Sequence, residues 1–450
     1  MPIDPFLALS AELESCSPVK RYGRVDKIDA NVVHVSQLSD LARMGDRLCV
    51  FTQQRRVWGQ VVRLGPTSLE MLCESGLDGL VVGDQVRHEG ALTIAPSDDW
   101  IGRVIDGNGR SLDGKMLLKG PETRPILGRP PLATSRKPLG HRLETGTSVF
   151  NTMLPIVRGQ RIGLFAGSGV GKSTLLATLA NGVDADVVVI GLVGERGREV
   201  GEFIHSTLGP EGMAKSVVVA ATSDTSALER RRCAWTAMAV AEHFRDQGLH
   251  VLLLIDSLTR FAEAHREVAI SAGEPAALRG FPPSTSHQLM SLCERAGPGL
   301  TQSGDITAVF SVLVAGSDMD EPIADILRGV LDGHVVLDRE IAERGRFPAV
   351  DVLKSVSRSL PNAASRDENS LIMKSRKILG AYEQSEMMIK AGLYSAGSDS
   401  LLDEAIDLYP RLDNFFSGIQ DQSCDESFGK LKNALQRTGA RASLVNSVLQ

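Results

Sequence analysis

The sequence predicts an α/β protein: a core with a mostly parallel sheet, preceded by a small β-barrel and followed by a helical domain. Three observations predict it. An apolar run ending at Ala166 is followed by four more, Val187–Val193, Val217–Ala221, Val251–Ile255 and Ile306–Val314, with helical segments between them. Runs that are continuously apolar, not alternating, mark parallel strands covered on both faces, with active groups at their carboxyl ends. Before residue 92 the runs are short and β-like, and from about residue 360 strands stop and the chain becomes helical and polar. A chain of 450 residues needs more than one such unit, because single cores stop growing near about 250–300 residues. The expected division is 1–20, 21–92, 93–359 and 360–450.

In chain order, residues 4–15 read as a short amphipathic helix: Asp4 can cap it, Pro5 suits its first turn, and Phe6, Leu9 and Leu13 share a face. It is either a partner-binding helix or a frayed terminus. From Tyr22 to about Leu92 the runs Val32–Val35, Trp58–Leu64, Leu69–Leu72 and Leu80–Val86 are punctuated by Asp29-Ala-Asn31, Gly45-Asp46 and Gly83-Asp84, the pattern of a small barrel. The stretch lacks interleaved aromatic and basic residues that would stack and clamp bases, so a structural collar is expected rather than an oligonucleotide-binding face. Residues 93–150 are rich in Gly and Pro, at Asp106-Gly-Asn-Gly109, Asp113-Gly114 and Gly128-Arg-Pro-Pro131, and read as a linker with entry hairpins.

Residues 160–174 join the first core run to a glycine-rich turn, Ala166-Gly167-Ser168-Gly169-Val170-Gly171, closed by Lys172, Ser173 and Thr174. This is the pattern of a phosphate-binding loop. Glycines let backbone N–H groups curl around a phosphate chain, Lys172 neutralises β/γ-phosphate charge, and the Ser173 hydroxyl suits Mg²⁺. A helix from Lys172 to about Asn181, stopped by Gly182, points its positive end at the same anion. The first position of the motif usually holds glycine; here it holds Ala166.

Two further run-ends carry acids. Asp256 closes Leu253-Leu-Ile255, where it can hold Mg²⁺ through water or cap the next helix. Glu195 follows Gly191-Leu-Val-Gly194 and is the candidate for orienting the water that attacks ATP; the alternative is a carboxylate favoured by a helix start.

The bulk numbers narrow the class. A formal net charge of −6 gives no field that attracts nucleic acid. The six cysteines are scattered without a CxxC pair, which fits buried, reduced thiols. No apolar run approaches membrane-spanning length, and Met1-Pro-Ile-Asp-Pro5 lacks the basic and apolar regions of a signal peptide. A cytoplasmic protein whose membrane association is peripheral is expected.

The glycine-rich loop, Gly194-Glu-Arg-Gly-Arg-Glu-Val200, Asp256-Ser-Leu-Thr-Arg260, and Phe347-Pro-Ala-Val-Asp351 through Ser355-Val-Ser-Arg358 stand in an order and spacing that resemble the catalytic subunit of rotary ATP synthases. Within that superfamily the chain looks most like the ATPases of type III protein export, particularly the flagellar export type. The wording Leu154-Pro-Ile, then Arg158-Gly-Gln-Arg-Ile-Gly-Leu-Phe-Ala-Gly167, resembles that family too, including Ala166 in the first loop position. The likeness covers nearly the whole chain and is weakest before residue 20 and after 400.

The resemblance implies a RecA-like P-loop core and an ATPase that works with Mg²⁺. It implies that Glu195 activates the lytic water, that Lys172 and Arg196 hold the γ-phosphate, and that Ser173 with Asp256 manages Mg²⁺. Phe347 matches an aromatic that packs against adenine; tyrosine is common there. Arg358 matches the arginine that a neighbouring subunit inserts, and a planar guanidinium suits charge spread over phosphoryl oxygens; the alternative, which composition alone does not exclude, is a surface salt bridge. A homohexameric ring follows from that role. Gly273 to His287, rich in Gly and Pro, reads as a loop; in the family it borders the central channel, and the wording here departs around Ala276–Leu278 and Thr285–Gln288. Implied partners are a regulatory stator-like protein at the N-terminal helix, an export gate, a central stalk protein and chaperone–substrate complexes, at the inner membrane's cytoplasmic side. An injectisome export ATPase shares the same chemistry. A non-catalytic rotary subunit would lack Glu195, and a ring-shaped nucleic-acid translocase fits poorly with the acidic balance and 4% aromatic content.

Overall fold

The computed structural model describes residues 19–314, 319–418 and 423–436; the expected helix at 4–15 lies outside the described residues. Six antiparallel strands close the barrel in the order β1-β2-β5-β4-β3-β6: β1 Tyr22–Asp29, β2 Val32–Ser36, β3 Arg47–Phe51, β4 Arg56–Leu64, β5 Ser68–Cys73 and β6 Gln85–Gly90. Alternation fills its interior, with Val33 and Val35 of β2 fully buried among Leu48, Val50, Val57 and Met71. The last strand differs from the expected Leu80–Val86 run. Val81 and Val82 are apolar but 62% exposed and belong to the approach to β6, whose pairing starts only at Gln85.

The core sheet contains β7 Val104–Ile105, β8 Arg161–Ala166, β9 Val187–Glu195, β10 Ser216–Thr222, β11 His250–Asp256, β12 Asp305–Leu313, β13 Gly333–Leu337 and β14 Val350–Ser357. Their order is β14-β13-β8-β12-β11-β9-β10-β7. All run parallel except β14, which returns antiparallel along β13, and a short Gly297–Pro298 strand on β12. The Gly/Pro-rich stretch is thus more than a linker: β7 adds an edge to the sheet by pairing Val104 and Ile105 with Val218 and Val219.

Both faces are covered. On one lies α1 Lys172–Gly182; on the other lie α2 Ala227–Asp246, α3 Leu258–Ser271 and α4 Ser284–Arg295. A Ser226/Glu229 capping box starts α2, and Ala234, Ala237 and Ala241 on its buried side let it lie close to β9 and β11. The expected Gly273–His287 loop ends early, because Pro282 and Pro283 lead into α4 at Ser284. Among the described residues, three capped helices, α5 Arg366–Lys390, α6 Ser400–Phe416 and α7 Cys424–Ala434, follow the sheet and bury Ile372, Leu408, Leu412, Phe416 and Leu431 in the same apolar cluster as α1. The barrel docks on α2 through Glu74, which pairs with the buried Arg232 and with Arg47 at 3.2 Å, and through Gln60, which accepts from Arg231 at 3.2 Å. Among the described residues no helix is long and apolar enough to cross a membrane.

Candidate active site

Register brings the chemistry together. Ala166 pairs with both Leu313 and Leu337, Ile255 with Phe310, and Leu192 with Asp256, so the carboxyl ends of β8, β12, β11 and β9 meet along one edge of the sheet. The glycine-rich loop leaves from that edge. Ala166 is the last residue of β8, fully buried in extended strand conformation, where alanine serves as well as glycine. The turn needs glycine further on: Gly169 and Gly171 have φ of +79° and +84°. Gly171 precedes α1, no side chain caps that helix, and its first turn holds no acid, so its leading N–H groups face the loop.

Lys172 Nζ donates to Asp256 Oδ1 and lies 3.8 Å from Glu195 Oε1. All three side chains are largely shielded, and Ser311 Oγ on the central strand β12 donates to the same Asp256 oxygen at 2.6 Å. Ser311 has little signature in the sequence: it is one of two hydroxyls, with Thr307, inside the apolar Ile306–Val314 run. Asp256 is not the cap of α3, since Ser257 takes that position and accepts from the Arg260 N–H at 3.3 Å. Nor does Glu195 start a helix: it ends β9, and Arg196 caps the short helix Gly197–Glu202. Burial pushes the Glu195 carboxyl up to about 7, and the Asp256 charge adds to the shift while Lys172 opposes it.

The oxygens of Ser173 and Asp256 are hard ligands of the kind Mg²⁺ accepts, and Mg²⁺ takes one or two protein oxygens alongside phosphates and waters. Phe347 reaches the loop from the turn before β14: a Cβ added at Gly171 would lie 3.2 Å from its ring, which is half-exposed. Arg196 does not converge with these groups; its side chain is 81% exposed and pairs with Glu199 at 3.1 Å. Arg358 lies at the other end of the sheet. The antiparallel return pairs Val350 with Leu337 but Ser357 with Gly333, which places Arg358 about four strand residues, or ~13 Å, from the level of the loop. There its Nη2 donates to the Arg328 carbonyl at 3.0 Å.

Comparison with known proteins gives matches throughout the described chain. The nucleotide-binding domain of the ATP synthase alpha/beta family matches residues 146–357, and the C-terminal domain of the type III secretion ATPase EscN matches residues 364–437. The flagellum-specific ATP synthase of Caulobacter vibrioides is 42% identical over 440 residues, covering 95% of this chain and 99% of its own. That of Salmonella typhimurium is 40% identical, with 92% of each chain covered. Among solved structures, the assembled ATPase EscN of enteropathogenic E. coli superposes with a TM-score of 0.85 at 35% identity, over 92% of this chain and 100% of that one. A second structure, of EscN in complex with its central stalk EscO, gives a TM-score of 0.84 at the same identity and coverage.

Proposed function

Since the chain belongs to the family of flagellum-specific ATP synthases and type III secretion ATPases, built on the nucleotide-binding domain of the ATP synthase alpha/beta family, we propose that it hydrolyses ATP to drive flagellar type III protein export. The observation that carries this reading is the convergence of Lys172, Glu195 and Asp256 beside the glycine-rich loop. The loop N–H groups and Lys172 bind the phosphate chain. Glu195 orients the attacking water and takes its proton; a carboxyl titrating near 7 is suited to that task at neutral pH. Mg²⁺, when bound with ATP, neutralises charge on the β- and γ-phosphates. Ser173 and Asp256 would hold it, with Ser311 fixing the Asp256 carboxylate. Phe347 packs on the base. Arg196 swings from its exposed pairing with Glu199 toward the γ-phosphate, and Arg358 serves the site of the next copy in a homohexamer.

Under the same proposal the ring turns about a central stalk, its N-terminal segment docks a stator-like regulator, and it meets the export gate and chaperone–substrate complexes at the cytoplasmic side of the inner membrane. The EscN–EscO complex supports the stalk. The test is Glu195→Gln. Nucleotide affinity should persist while phosphate release falls roughly 10²–10⁴-fold, and cells carrying only this variant should fail to export flagellar proteins and to swim. Hydrolysis at the parent rate would remove the assigned role.

A further inference from the structure

Phe347 stands in a turn, and neither a strand nor a helix holds it directly. The two residues with side chains just before it, Arg344 and Arg346, are gripped by the C-terminal helices. Arg346 is 8% exposed; its Nη1 lies 3.3 Å from Asp413 Oδ1 on α6, its Nη2 donates to the Val350 carbonyl at 2.5 Å, and its guanidinium lies over the Phe416 ring at 5.8 Å. Arg344 Nη1 reaches the Tyr409 hydroxyl at 3.4 Å and Glu386 at 3.5 Å, and Tyr409 is stacked on Tyr382 with ring centroids 3.7 Å apart. Between the two arginines and the helices lies an open pocket of about 110 Å³ lined by Arg344, Arg346, Asp351, Leu379, Tyr382 and Tyr409. Ala349 and Val350 are buried on the β14 side of the turn, while on its other side the polar contacts of Arg344 and Arg346 to α5 and α6 hold it.

We propose that the Arg346–Asp413 pair is a positioning device for the nucleotide base: α6 fixes the guanidinium, and the guanidinium, stapled also to the start of β14, fixes where the Phe347 ring stands against Gly171. The proposal rests on Phe347 packing on the base. Arg346 and Asp413 touch no nucleotide. They act on the base end of the pocket and leave the phosphate end, built on β8, β9 and β11, unchanged. Loss of either partner lets the arginine segment shift toward the open pocket and carry Phe347 with it, so ATP binds less well while the chemical step, once ATP is seated, runs as before.

The experiment measures KM and kcat for ATP, and competitive inhibition by Mg²⁺-tripolyphosphate, which has the phosphates without a base. It uses the full chain carrying Phe347→Ala, Arg346→Gln, Arg346→Lys or Asp413→Asn. Phe347→Ala should raise KM about tenfold with tripolyphosphate inhibition unchanged. Arg346→Gln and Asp413→Asn should each raise KM about three- to tenfold with kcat within about twofold of the parent and inhibition unchanged, and Arg346→Lys should recover part of the loss. Asp413 is about one-third exposed, so its variant folds even if Arg346→Gln does not. A KM rise in Phe347→Ala but in neither partner variant overturns the clamp and leaves the base assignment standing. Unchanged KM in Phe347→Ala overturns the base assignment and the clamp with it. A matching loss of tripolyphosphate inhibition in the partner variants also overturns the clamp, since the damage then reaches the whole pocket.

Discussion

For Glu195, the proposed catalytic role and the stability of the fold favour opposite protonation states. A carboxyl raised from 4.5 to about 7 binds its proton more tightly in the folded chain than in the unfolded one. Its contribution to stability is therefore full below 4.5 and is lost as pH rises through about 7. A water-activating base needs the opposite form. kcat/KM should fall as pH drops through about 7, read from initial rates across pH, while the melting temperature of the parent relative to Glu195→Gln should fall as pH rises through the same range. If both quantities move in the same direction, burial is not what tunes this group. The phosphate loop could be read from residue types alone, but the run-end acids Asp256 and Glu195 each have an ordinary alternative at a helix start, and only the resemblance favours the site. Phe347 could not: only the return of β14 brings it to Gly171, and no local pattern encodes that. Ser311 is hidden by its own strand, since two hydroxyls, Thr307 and Ser311, barely disturb an apolar run and nothing local singles out the second.

At the scale of elements, helices on one face of the sheet are joined by a fully buried ion pair. Arg295, at the end of α4, donates from Nε and Nη2 to Glu242 of α2 at 2.8 and 2.7 Å, and from Nη1 to the Ile126 carbonyl at 2.8 Å. Without Arg295, Glu242 keeps only Arg124, at 4.0 Å, and without Glu242 the Arg295 charge is buried with no carboxylate against it. Arg295→Met should lower unfolding free energy by about 3–5 kcal/mol, and Arg295→Met with Glu242→Met should recover most of that loss, measured by denaturant titration. A double variant as weak as the single would show that geometry, not burial of charge, is what the pair supplies. Core strands were the easiest elements to read, since burial on both faces writes a continuous apolar run. β7 was not readable, because two residues carry no period and its place depends on the edge of β10. The Leu80–Val86 run misled for the converse reason: apolar residues at the barrel's rim face water. The double proline before α4 reads as a loop, yet proline is also at home where a helix begins.

Across the whole molecule, the antiparallel return of β14 carries Phe347 to the loop end of the sheet and Arg358 to the other end. The proposed role of Arg358 is then testable by mixing. Arg358→Ala and Glu195→Gln chains should each be nearly inactive, and equimolar mixed rings should regain about a quarter of the parent's sites, those where an intact Glu195 meets an intact Arg358. No recovery in rings shown by mass to be mixed would sink the role across the boundary. The domain-scale plan of barrel, sheet and helices was legible because each has its own hydrophobic texture; the docking of barrel on core was not, because it runs through the charged Glu74, Arg47 and Arg232, which read in sequence as surface residues.

The reversal of that one strand has an arithmetic consequence. If Arg358 serves the site of the next copy, as proposed, a lone copy completes no site, and an open arc of n copies completes n − 1. Closing the arc adds the last site without adding a chain. On that proposal, dispersed copies would hydrolyse ATP slowly, and gathering them would itself raise the rate per chain.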